Sequence, residues 1–348
     1  MTTIGGQMVQ ANSFKGFRMP DEAEAHERTF MQWPVNRKVH ADAGFLDLLQ
    51  NSISVVANTI AEFEPVVMLM GNEYVPAARK KLGRRIEIWD IATDDLWCRD
   101  AGPIFVKNNK SELAVAHIKF NGWGGKQVHT NDGFVSERVA KRMGLPLIDA
   151  GLVGEAGGVE TDGNGTLLAH ESSWVNANRN RISRSQIEQR LLAALGAEKM
   201  IWAPGIAGAD ITDYHIDALA RFAQPGTVVI QLPEQLDYND PWSVAAFATF
   251  NVLGTAKDAK GRTLQLVNLP EPQRTRVSSP DFVASYVNYY VCNGAVISAQ
   301  FGDRKADSKA KAALQKLYPD RSVIQLNIDP IGEVGGGIHC ATQQQPRV

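Results

Sequence analysis

Amphipathic helices alternate with short apolar strands along this chain, and this alternation constrains the fold more than any other feature. The clearest helix is Ala43–Phe63, whose apolar residues recur on one helical face. Glu64-Pro65 ends that helix, and the apolar run Val66–Met70 follows as a predicted buried strand. Ile86–Asp90 and Leu113–Ile118 are predicted strands as well. The pattern therefore predicts an α/β protein.

The same alternation continues towards the C-terminus. Ser185 and Glu188 have the spacing of a capping box, which predicts a helix that runs to Leu195 and stops at Gly196. The other predicted elements are helices near Val244–Leu253 and Ala306–Leu317 and strands near Val228–Ile230, Tyr286–Val291 and Ser322–Leu326. Similar strand–strand–helix–strand blocks recur, as in a circular array of divergent units. No linker divides residues 1–348, and we expect about the first 18 to be weakly ordered.

The composition excludes several classes of protein. The 348 residues carry 36 Lys and Arg against 38 Asp and Glu, so the formal net charge of −2 lacks the basic excess of a nucleic-acid binder. The apolar runs are too short to span a membrane, and the polar N-terminus shows no secretion signal. Three cysteines, Cys98, Cys292 and Cys340, are too few for a disulfide framework or a cysteine-rich zinc site. We expect a cytoplasmic protein, although a processed, exported form is also compatible with the sequence.

Four segments combine glycine, tryptophan and charged residues in the manner of binding loops. They are Trp97–Pro103, Glu155–Gly158, Asp210–Asp217 and Gly335–Cys340. In the third segment, an extended backbone would place Asp213, His215 and Asp217 on one face. A histidine beside carboxylates can act as a general acid and base near neutral pH. A structural polar network explains the same spacing, and a metal site is a third interpretation that no matching His/Cys cluster supports.

Cys340 follows three glycines, the last of which is Gly337, and glycines let a backbone approach a ligand closely. Its thiol is therefore a candidate nucleophile, with a buried core cysteine as the alternative. We expect His215 rather than His339 to be its acid–base partner, because neighbours such as His339 and Cys340 point apart in an extended segment. Cys292 lies in an apolar strand and is a predicted core residue.

Two carboxylates and two tryptophans complete the candidate groups. Asp100 and Glu155 each lie beside glycines, where they could also be turn-forming or capping residues. Trp97 and Trp123 are typical core residues, although aromatic rings also line cation sites. One thiol, one histidine and several carboxylates suit a planar cation, since a guanidinium group pairs with carboxylates in a bidentate manner. The role of Cys98 stays open.

Several stretches give the chain a specific resemblance to a known family. They are HERTFMQWP, WCRDAGPIFV, NGWGGK, EAGGVETDGNGTLL, NANRN, DITDYHIDALARF, YVNYYVCNGAVI, FGD and GGGIHCATQQQP. In this order they resemble the agmatine deiminase and bacterial-type peptidylarginine deiminase family of the guanidino-modifying pentein superfamily. The resemblance implies a single catalytic domain, a pseudo-fivefold α/β propeller of repeated ββαβ-type units around a central active site. It implies neither a metal nor a cofactor.

The resemblance also implies a role for each candidate residue. Cys340 would be the nucleophile that forms a covalent thiouronium, and His215 would be the general acid and base. Asp100 and Asp217 would grip the guanidinium nitrogens, and Glu155 would support His215 or the substrate. The substrate-binding candidates are Trp97, which would flank the guanidinium group, and Asp213, Tyr214, Trp123 and Gly337.

The implied activity is hydrolysis of a small guanidino substrate to a ureido product and ammonia. Agmatine is the first candidate, which implies polyamine biosynthesis towards putrescine. Tyr214 replaces the family's usual glycine, and Ile211 stands where agmatine-specific members commonly have an acidic residue. Without that acid a distal amine loses a partner, so arginine or peptide arginine is an alternative substrate. An amidinotransferase and a non-catalytic cation-binding protein of the same fold are further alternatives, and each is compatible with a homo-oligomer.

Overall fold

Seventeen strands form five separate small sheets in the computed structural model, which describes residues 8–10 and 16–348. The first nine strands are β1 (Met8–Gln10), β2 (His26–Gln32), β3 (Val66–Met70), β4 (Ile86–Asp90), β5 (Ile104–Lys107), β6 (Leu113–Lys119), β7 (Leu147–Val153), β8 (Val159–Thr161) and β9 (Thr166–His170). The others are β10 (Lys199–Ala203), β11 (Ala220–Gln224), β12 (Thr227–Leu232), β13 (Gln265–Pro270), β14 (Tyr290–Cys292), β15 (Ala295–Ala299), β16 (Ser322–Leu326) and β17 (Thr342–Pro346).

Helices and short turns connect these strands. The α-helical segments are α1 (Ala43–Ile60), α2 (Val75–Ala78), α3 (Cys98–Ala101), α4 (Gly122–Gly125), α5 (Val135–Met143), α6 (Glu171–Trp174), α7 (Arg184–Leu195), α8 (Pro241–Thr255), α9 (Arg304–Leu317) and α10 (Asp329–Glu333). Single 3-10 turns lie at Asn72–Tyr74, Asp132–Phe134, Ala156–Gly158 and Ile216–Ala218. Within residues 8–10 and 16–348, no helix has the length and apolar character needed to cross a membrane.

Each sheet is built on the same ββαβ unit, in which an antiparallel pair is followed by a helix and a third strand parallel to the second. In unit 2, β5 pairs antiparallel with β6, and β7 returns parallel to β6 after α5. Unit 3 (β8–β10), unit 4 (β11–β13) and unit 5 (β14–β16) repeat this arrangement. The predicted recurrence of ββαβ-type units is therefore confirmed. The strands β1 and β4 extend two of the sheets at their edges.

Unit 1 takes its strands from both ends of the sequence. β17 pairs antiparallel with β2, with Thr342 opposite Met31, and β3 returns parallel to β2 after α1. The last strand of the chain thus completes the first unit. The five sheets of the described residues stay separate and do not merge into one continuous barrel.

Apolar burial follows the prediction most closely in unit 1. Every residue of β3 is buried, because β2 and β4 flank both of its edges and α1 packs in the same apolar cluster. The helix contributes Leu49, Ile53, Val56 and Ile60 to the same cluster. The predicted amphipathic helix and the buried strand after it are therefore confirmed.

Most of the other predicted elements are confirmed, with shifts at their ends. Ile86–Asp90 and Ser322–Leu326 have the predicted bounds, and the strand at Leu113 is one residue longer than predicted. The helices α8 and α9 begin earlier than predicted, because the side chains of Asp240 and Asp303 accept hydrogen bonds from their first turns.

Two local predictions are wrong. The capping box of α7 is formed by Ser183 and Gln186, not by Ser185 and Glu188. Both pairs have the required spacing, but the helix begins directly after Ser183, which is therefore its N-cap. The predicted strand at Tyr286–Val291 begins only at Tyr290. Residues 286–289 are an irregular segment that is buried, so their apolar character did not distinguish a core loop from a strand.

The prediction of weak order near the N-terminus falls mostly on residues 1–7 and 11–15, which lie outside the described residues. Of the residues described there, Met8–Gln10 form β1, which pairs parallel with Leu147–Asp149. Arg18 forms an antiparallel bridge with Lys107.

The position of the capping box gives a stability test. Ser183→Ala removes the side-chain oxygen that accepts a hydrogen bond from the Gln186 N–H, so we expect the free energy of unfolding to fall by about 1 kcal/mol. Ser185→Ala, one residue inside the helix start, is the matched control and is expected to change it by less than about 0.5 kcal/mol. Urea unfolding monitored by circular dichroism measures both. Equal losses would contradict the observed cap.

Candidate active site

The candidate residues lie in segments that precede the first strand of each unit. Asp100 lies in α3 ahead of β5, and Glu155 precedes the turn that leads into β8. His215 is the N-cap of the turn ahead of β11, and Cys340 lies two residues before β17. Because each unit repeats the same geometry, these segments meet at one end of the sheets.

Asp100, His215 and Asp217 converge beside Gly157, which has no side chain to fill the space between them. A Cβ atom placed on Gly157 would lie 2.7 Å from Asp100 Oδ1, 2.7 Å from His215 Nδ1 and 3.2 Å from Asp217 Oδ2. Two carboxylates and an imidazole therefore face one common point that only a glycine leaves open. This arrangement suits a small planar cation with several N–H donors.

His215 is enclosed by carboxylates. Its Nε2 lies 3.1 Å from Glu155 Oε2, and its Nδ1 lies 3.7 Å from Asp100 Oδ1. Burial by itself lowers the pKa of this imidazole, but Asp100, Glu155 and Asp217 outweigh it and raise the pKa to about 9. His215 is therefore protonated at neutral pH and can donate a proton.

Arg179 orients Glu155 against His215, and sequence reasoning missed it. Its Nε donates to both oxygens of Glu155 at 3.0 Å, and its Nη1 donates to Asp213 Oδ2 at 2.6 Å. The guanidinium group is buried, so it balances charge that would otherwise be costly in the interior. The NANRN stretch contains Arg179, and an arginine among small polar residues was the available signal.

Asp100 is held by two donors. The indole Nε1 of Trp123 donates to Oδ2 at 2.9 Å, and the backbone N–H of Gly157 donates to Oδ1 at 3.1 Å. Burial raises the pKa of this carboxyl to about 6, although the His215 charge opposes the shift. Trp123 therefore contributes to the site by holding the Asp100 carboxylate in place. Its own backbone lies in the left-handed region, at φ 55°.

Asp217 is fully buried, and its carboxylate has fewer hydrogen-bond partners than it can accept. His339 Nδ1 lies 2.7 Å from its Oδ2, whereas its Oδ1 has no hydrogen-bond partner among the described residues. Burial alone would raise the pKa of Asp217, but the hydrogen bond and charge of His339 lower it overall. A buried carboxylate oxygen without a partner is costly unless a ligand supplies the donor. Oδ1 is therefore available to a cationic ligand.

The thiol of Cys340 lies beside Asp217, with Sγ 3.5 Å from Oδ2. Burial and the carboxylates of Asp217 and Asp100 hold the pKa of this thiol well above its usual value. The side-chain amide of Asn288, which sequence reasoning missed, donates to Sγ at 3.1 Å. Without a bound cation the thiol is therefore the favoured form.

His339 belongs to the same cluster, which the sequence analysis did not expect. Residues 338–340 form a turn rather than an extended segment, so His339 and Cys340 both reach Asp217 Oδ2. On its other side, His339 Nε2 lies 3.0 Å from Glu22 Oε2. Glu22 in turn forms ion pairs with Arg221 and Arg99. Burial raises the pKa of Glu22, but Arg221, His339 and Arg99 together hold it well below the usual range.

Asp213 and Tyr214 do not face the common point near Gly157. Both have left-handed backbones, at φ 60° and 69°, so the predicted extended face shared by Asp213, His215 and Asp217 is wrong. Asp213 instead accepts hydrogen bonds from Arg179 and Lys126. The centroid of the Tyr214 ring lies 4.6 Å from that of His170 and 4.8 Å from that of Trp242. His215 and Asp217 converge because a 3-10 turn follows His215.

Two of the glycines before Cys340 are needed for close packing. A Cβ on Gly336 would lie 2.4 Å from the Trp97 ring, and one on Gly337 would lie 2.4 Å from Asn288 Oδ1. Trp97 itself is buried, at 7% exposure. Cys98 and Cys292 are buried, and burial raises the pKa of both thiols far above the usual range. Neither is poised as a nucleophile.

No group of three or more His, Cys, Asp and Glu side chains in residues 16–348 has an arrangement that could hold a metal ion. The carboxylates of the site are instead hydrogen-bonded to the side chains of Arg179, His215, His339 and Trp123. The chemistry that these residues can perform therefore combines a thiol nucleophile with a protonated histidine and cation-binding carboxylates.

Five ββαβ units with a cysteine, a histidine and carboxylates at their meeting point define a carbon–nitrogen hydrolase of the guanidino-modifying pentein class. A family model described as Porphyromonas-type peptidyl-arginine deiminase matches residues 18–346. The chain belongs to this family.

Relatives match the chain over nearly its whole length. A protein of Streptomyces coelicolor with the provisional name agmatine deiminase is 37% identical, over 95% of this chain and 99% of its own. The agmatine deiminase of Medicago truncatula is 32% identical, over 97% and 98%. A solved structure of the agmatine deiminase of Enterococcus faecalis superposes with a TM-score of 0.88 at 28% identity, covering 98% of both chains. The predicted family and fold class are thereby confirmed.

The raised pKa of His215 predicts how stability depends on pH. Because the folded pKa is about 9 and the unfolded value about 6.5, this group stabilises the fold fully below pH 6.5 and loses that contribution as pH rises through 9. The linked free energy is about 3 kcal/mol at most. We expect wild type to lose more stability than His215→Asn between pH 6.5 and 9.5, measured by urea unfolding at each pH. Parallel losses in the two proteins would show that His215 is not charged in the fold.

Proposed function

We propose that this protein is a guanidine deiminase, which hydrolyses agmatine or a related guanidino compound to a ureido product and ammonia. The observation that carries the proposal is the convergence of Asp100, His215 and Asp217 on one point, with the Cys340 thiol beside Asp217. The names of the relatives support the same activity.

The two aspartates would bind the guanidinium group. Asp100 Oδ1 and Asp217 Oδ2 face the same point beside Gly157, and Asp217 Oδ1 is buried without a hydrogen-bond partner among the described residues. Guanidinium presents its N–H groups in a plane, so two carboxylates on opposite edges would leave the faces of the central carbon open. One face would be directed to Cys340, and the Trp97 ring would flank the guanidinium group.

Binding of the cation would activate the nucleophile. The carboxylates hold the pKa of Cys340 above its usual value, and a guanidinium bound between them would offset their charge and favour the thiolate. Because His215 is already protonated, the thiol proton passes to solvent water as the cation binds, and the thiolate then attacks the guanidinium carbon. Substrate binding and nucleophile formation are therefore coupled, because the bound cation favours the thiolate.

His215 would handle the protons of both half-reactions. Protonated at neutral pH, it donates to the departing nitrogen, which leaves as ammonia while the S-alkylthiouronium remains on Cys340. The now neutral imidazole removes a proton from water, which attacks the same carbon. The carbon–sulfur bond breaks as the added hydroxyl gives its proton to the sulfur, so the ureido product leaves and the Cys340 thiol is restored. Glu155, held by Arg179, would keep the imidazole oriented through both steps.

The surroundings of the site bear on the substrate. Asp213 is paired with Arg179 and Lys126, so this carboxylate is not free for a distal amine. Ile211 is partly buried and packs against the apolar cluster that contains β3 and the buried residues of α1. Tyr214 packs away from the carboxylates, so we assign to Asp213 and Tyr214 a supporting role behind His215 rather than contact with substrate.

A substrate panel tests the activity. It contains agmatine, arginine, guanidino acids and peptides with internal or C-terminal arginine, and it measures ammonia and ureido product without an added amine. Release of ammonia from any member supports a deiminase. Turnover only when an amine acceptor is supplied would indicate an amidinotransferase. Guanidine binding by calorimetry without turnover would indicate a cation-binding protein and refute the proposal.

Further proposals follow from the sequence. We propose that the chain acts as a single catalytic domain, since β17 completes unit 1 and carries Cys340 into the site. With agmatine as substrate, the ureido product would enter polyamine synthesis towards putrescine. We place the protein in the cytoplasm, in keeping with its three free cysteines, and a homo-oligomer is compatible with this function.

Substitution of the nucleophile gives the sharpest kinetic test. Cys340→Ser is expected to lower kcat by on the order of 10³-fold or more, because a hydroxyl of much higher pKa replaces the thiol. Ammonia release measures the loss, and mass spectrometry of quenched wild type is expected to show the covalent adduct. Cys292→Ala, in β14, is the matched control and is expected to keep its activity. Full turnover of Cys340→Ser would refute the covalent mechanism.

A further inference from the structure

The central space receives one segment from each unit, and the proposed function uses those of only four units. Unit 5 contributes the irregular residues 286–289, which sequence analysis took for a strand. Within them, Asn288 lies two residues before β14, just as Cys340 lies two residues before β17. Unit 5 therefore presents Asn288 where the other units present their functional groups.

Asn288 contacts Cys340 through both ends of its side-chain amide. Oδ1 accepts a hydrogen bond from the Cys340 N–H at 3.2 Å, and Nδ2 donates to Sγ at 3.1 Å. A backbone N–H can only donate, so the oxygen of the amide must face it, and the NH₂ group must then face the sulfur. The backbone thus fixes which end of Asn288 meets the thiol.

The position of Asn288 is held on all sides. Asn288 is 1% exposed, its backbone carbonyl accepts from the His339 N–H at 3.2 Å, and Nδ2 lies 3.4 Å from the backbone carbonyl oxygen of Asp217. Gly337 lacks the Cβ that would approach Oδ1 to 2.4 Å. Such enclosure keeps the amide from turning away when the sulfur changes charge.

A neutral donor suits this position electrostatically. Sγ lies 3.5 Å from Asp217 Oδ2, so a thiolate formed there needs hydrogen bonds. A lysine or arginine would supply them but would also repel the guanidinium group of the substrate. The Asn288 amide, together with the backbone at Gly337, favours the ionised thiol without adding positive charge.

We propose that Asn288 is a further catalytic residue, whose amide N–H stabilises the Cys340 thiolate and aims the sulfur at the guanidinium carbon. This inference rests on the proposed function. It extends the site to all five units, and it gives Gly337 the task of making room for the amide.

Asn288→Asp is the primary variant, because it has nearly the same shape. The carboxylate still accepts from the Cys340 N–H, but it cannot donate to Sγ and adds a third negative charge near the sulfur. We expect kcat/KM to fall by about 100-fold or more. We also expect the pH midpoint of Cys340 alkylation by iodoacetamide to rise by about one unit or more. Peptide mass spectrometry assigns the label to Cys340 rather than to the buried Cys98 and Cys292.

Two further variants separate this role from folding. Asn288→Ser removes both contacts without adding charge, and we expect about a 10-fold loss of kcat/KM with a smaller rise of the alkylation midpoint. Asn180→Asp is the matched control, since Asn180 is also buried and bridges the Val153 and Trp174 backbones away from the sulfur. It is expected to lower Tm and to leave the alkylation midpoint unchanged.

The outcomes distinguish this inference from the proposed function. Folded Asn288→Asp or Asn288→Ser that keeps the wild-type alkylation midpoint and kcat/KM within about twofold would overturn it, and if the aspartate variant does not fold, the serine variant decides. A shift of equal size in Asn180→Asp would also overturn it, as a general effect of buried charge. Wild type that deiminates no member of the panel would refute the proposed function, while the alkylation midpoints would still decide whether Asn288 supports the thiolate.

Discussion

Buried carboxylates have to be balanced by buried cations in this molecule, and the rest of the site depends on that balance. Glu155 and Asp213 share Arg179, and Glu22 lies between Arg99 and Arg221. Removing one member of such a group would leave an uncompensated interior charge, which costs several kcal/mol. What remains after these pairings is a set of carboxylate oxygens around Gly157 with fewer positive partners. The structure thus keeps negative charge in reserve for a ligand while the surrounding charges stay paired.

The repeated unit explains how residues distant in sequence share one small space. Each unit brings a short irregular segment to the same end of its sheet before its first strand begins. The five segments carry Asp100, Glu155, His215, Asn288 and Cys340, and none of them belongs to a regular strand or a long helix. Divergence of these segments changes chemistry without changing the sheets behind them. A rigid frame with variable entry segments is therefore the architectural basis of the site.

The sequence predicted the sheet and helix elements well where apolar residues are periodic, as in α1 and β3. It predicted Cys340, His215, Asp100, Asp217 and Glu155 through glycine-rich context and family resemblance, and the structure brings all five together. Three errors have a common cause, since they concern backbone that is neither helix nor strand. The left-handed Asp213 and Tyr214, the turn at His339 and the buried loop around Asn288 all lack the periodicity by which a helix or a strand is recognised in a sequence. Arg179 and Glu22 escaped notice because their importance lies in partners far away along the chain.

The pairing of β17 with β2 has a consequence for how the molecule is made. Residues roughly three hundred positions apart must meet before unit 1 is complete, and closing so large a loop is slow compared with forming the local units. During synthesis, units 2 to 5 can form while β2 still presents an unpaired edge, which is a surface prone to wrong pairing. Cys340 lies two residues before β17, so its position in the site depends on this late pairing. A chain that lacks residues 340–346 would therefore lose both the thiol and the strand that completes unit 1.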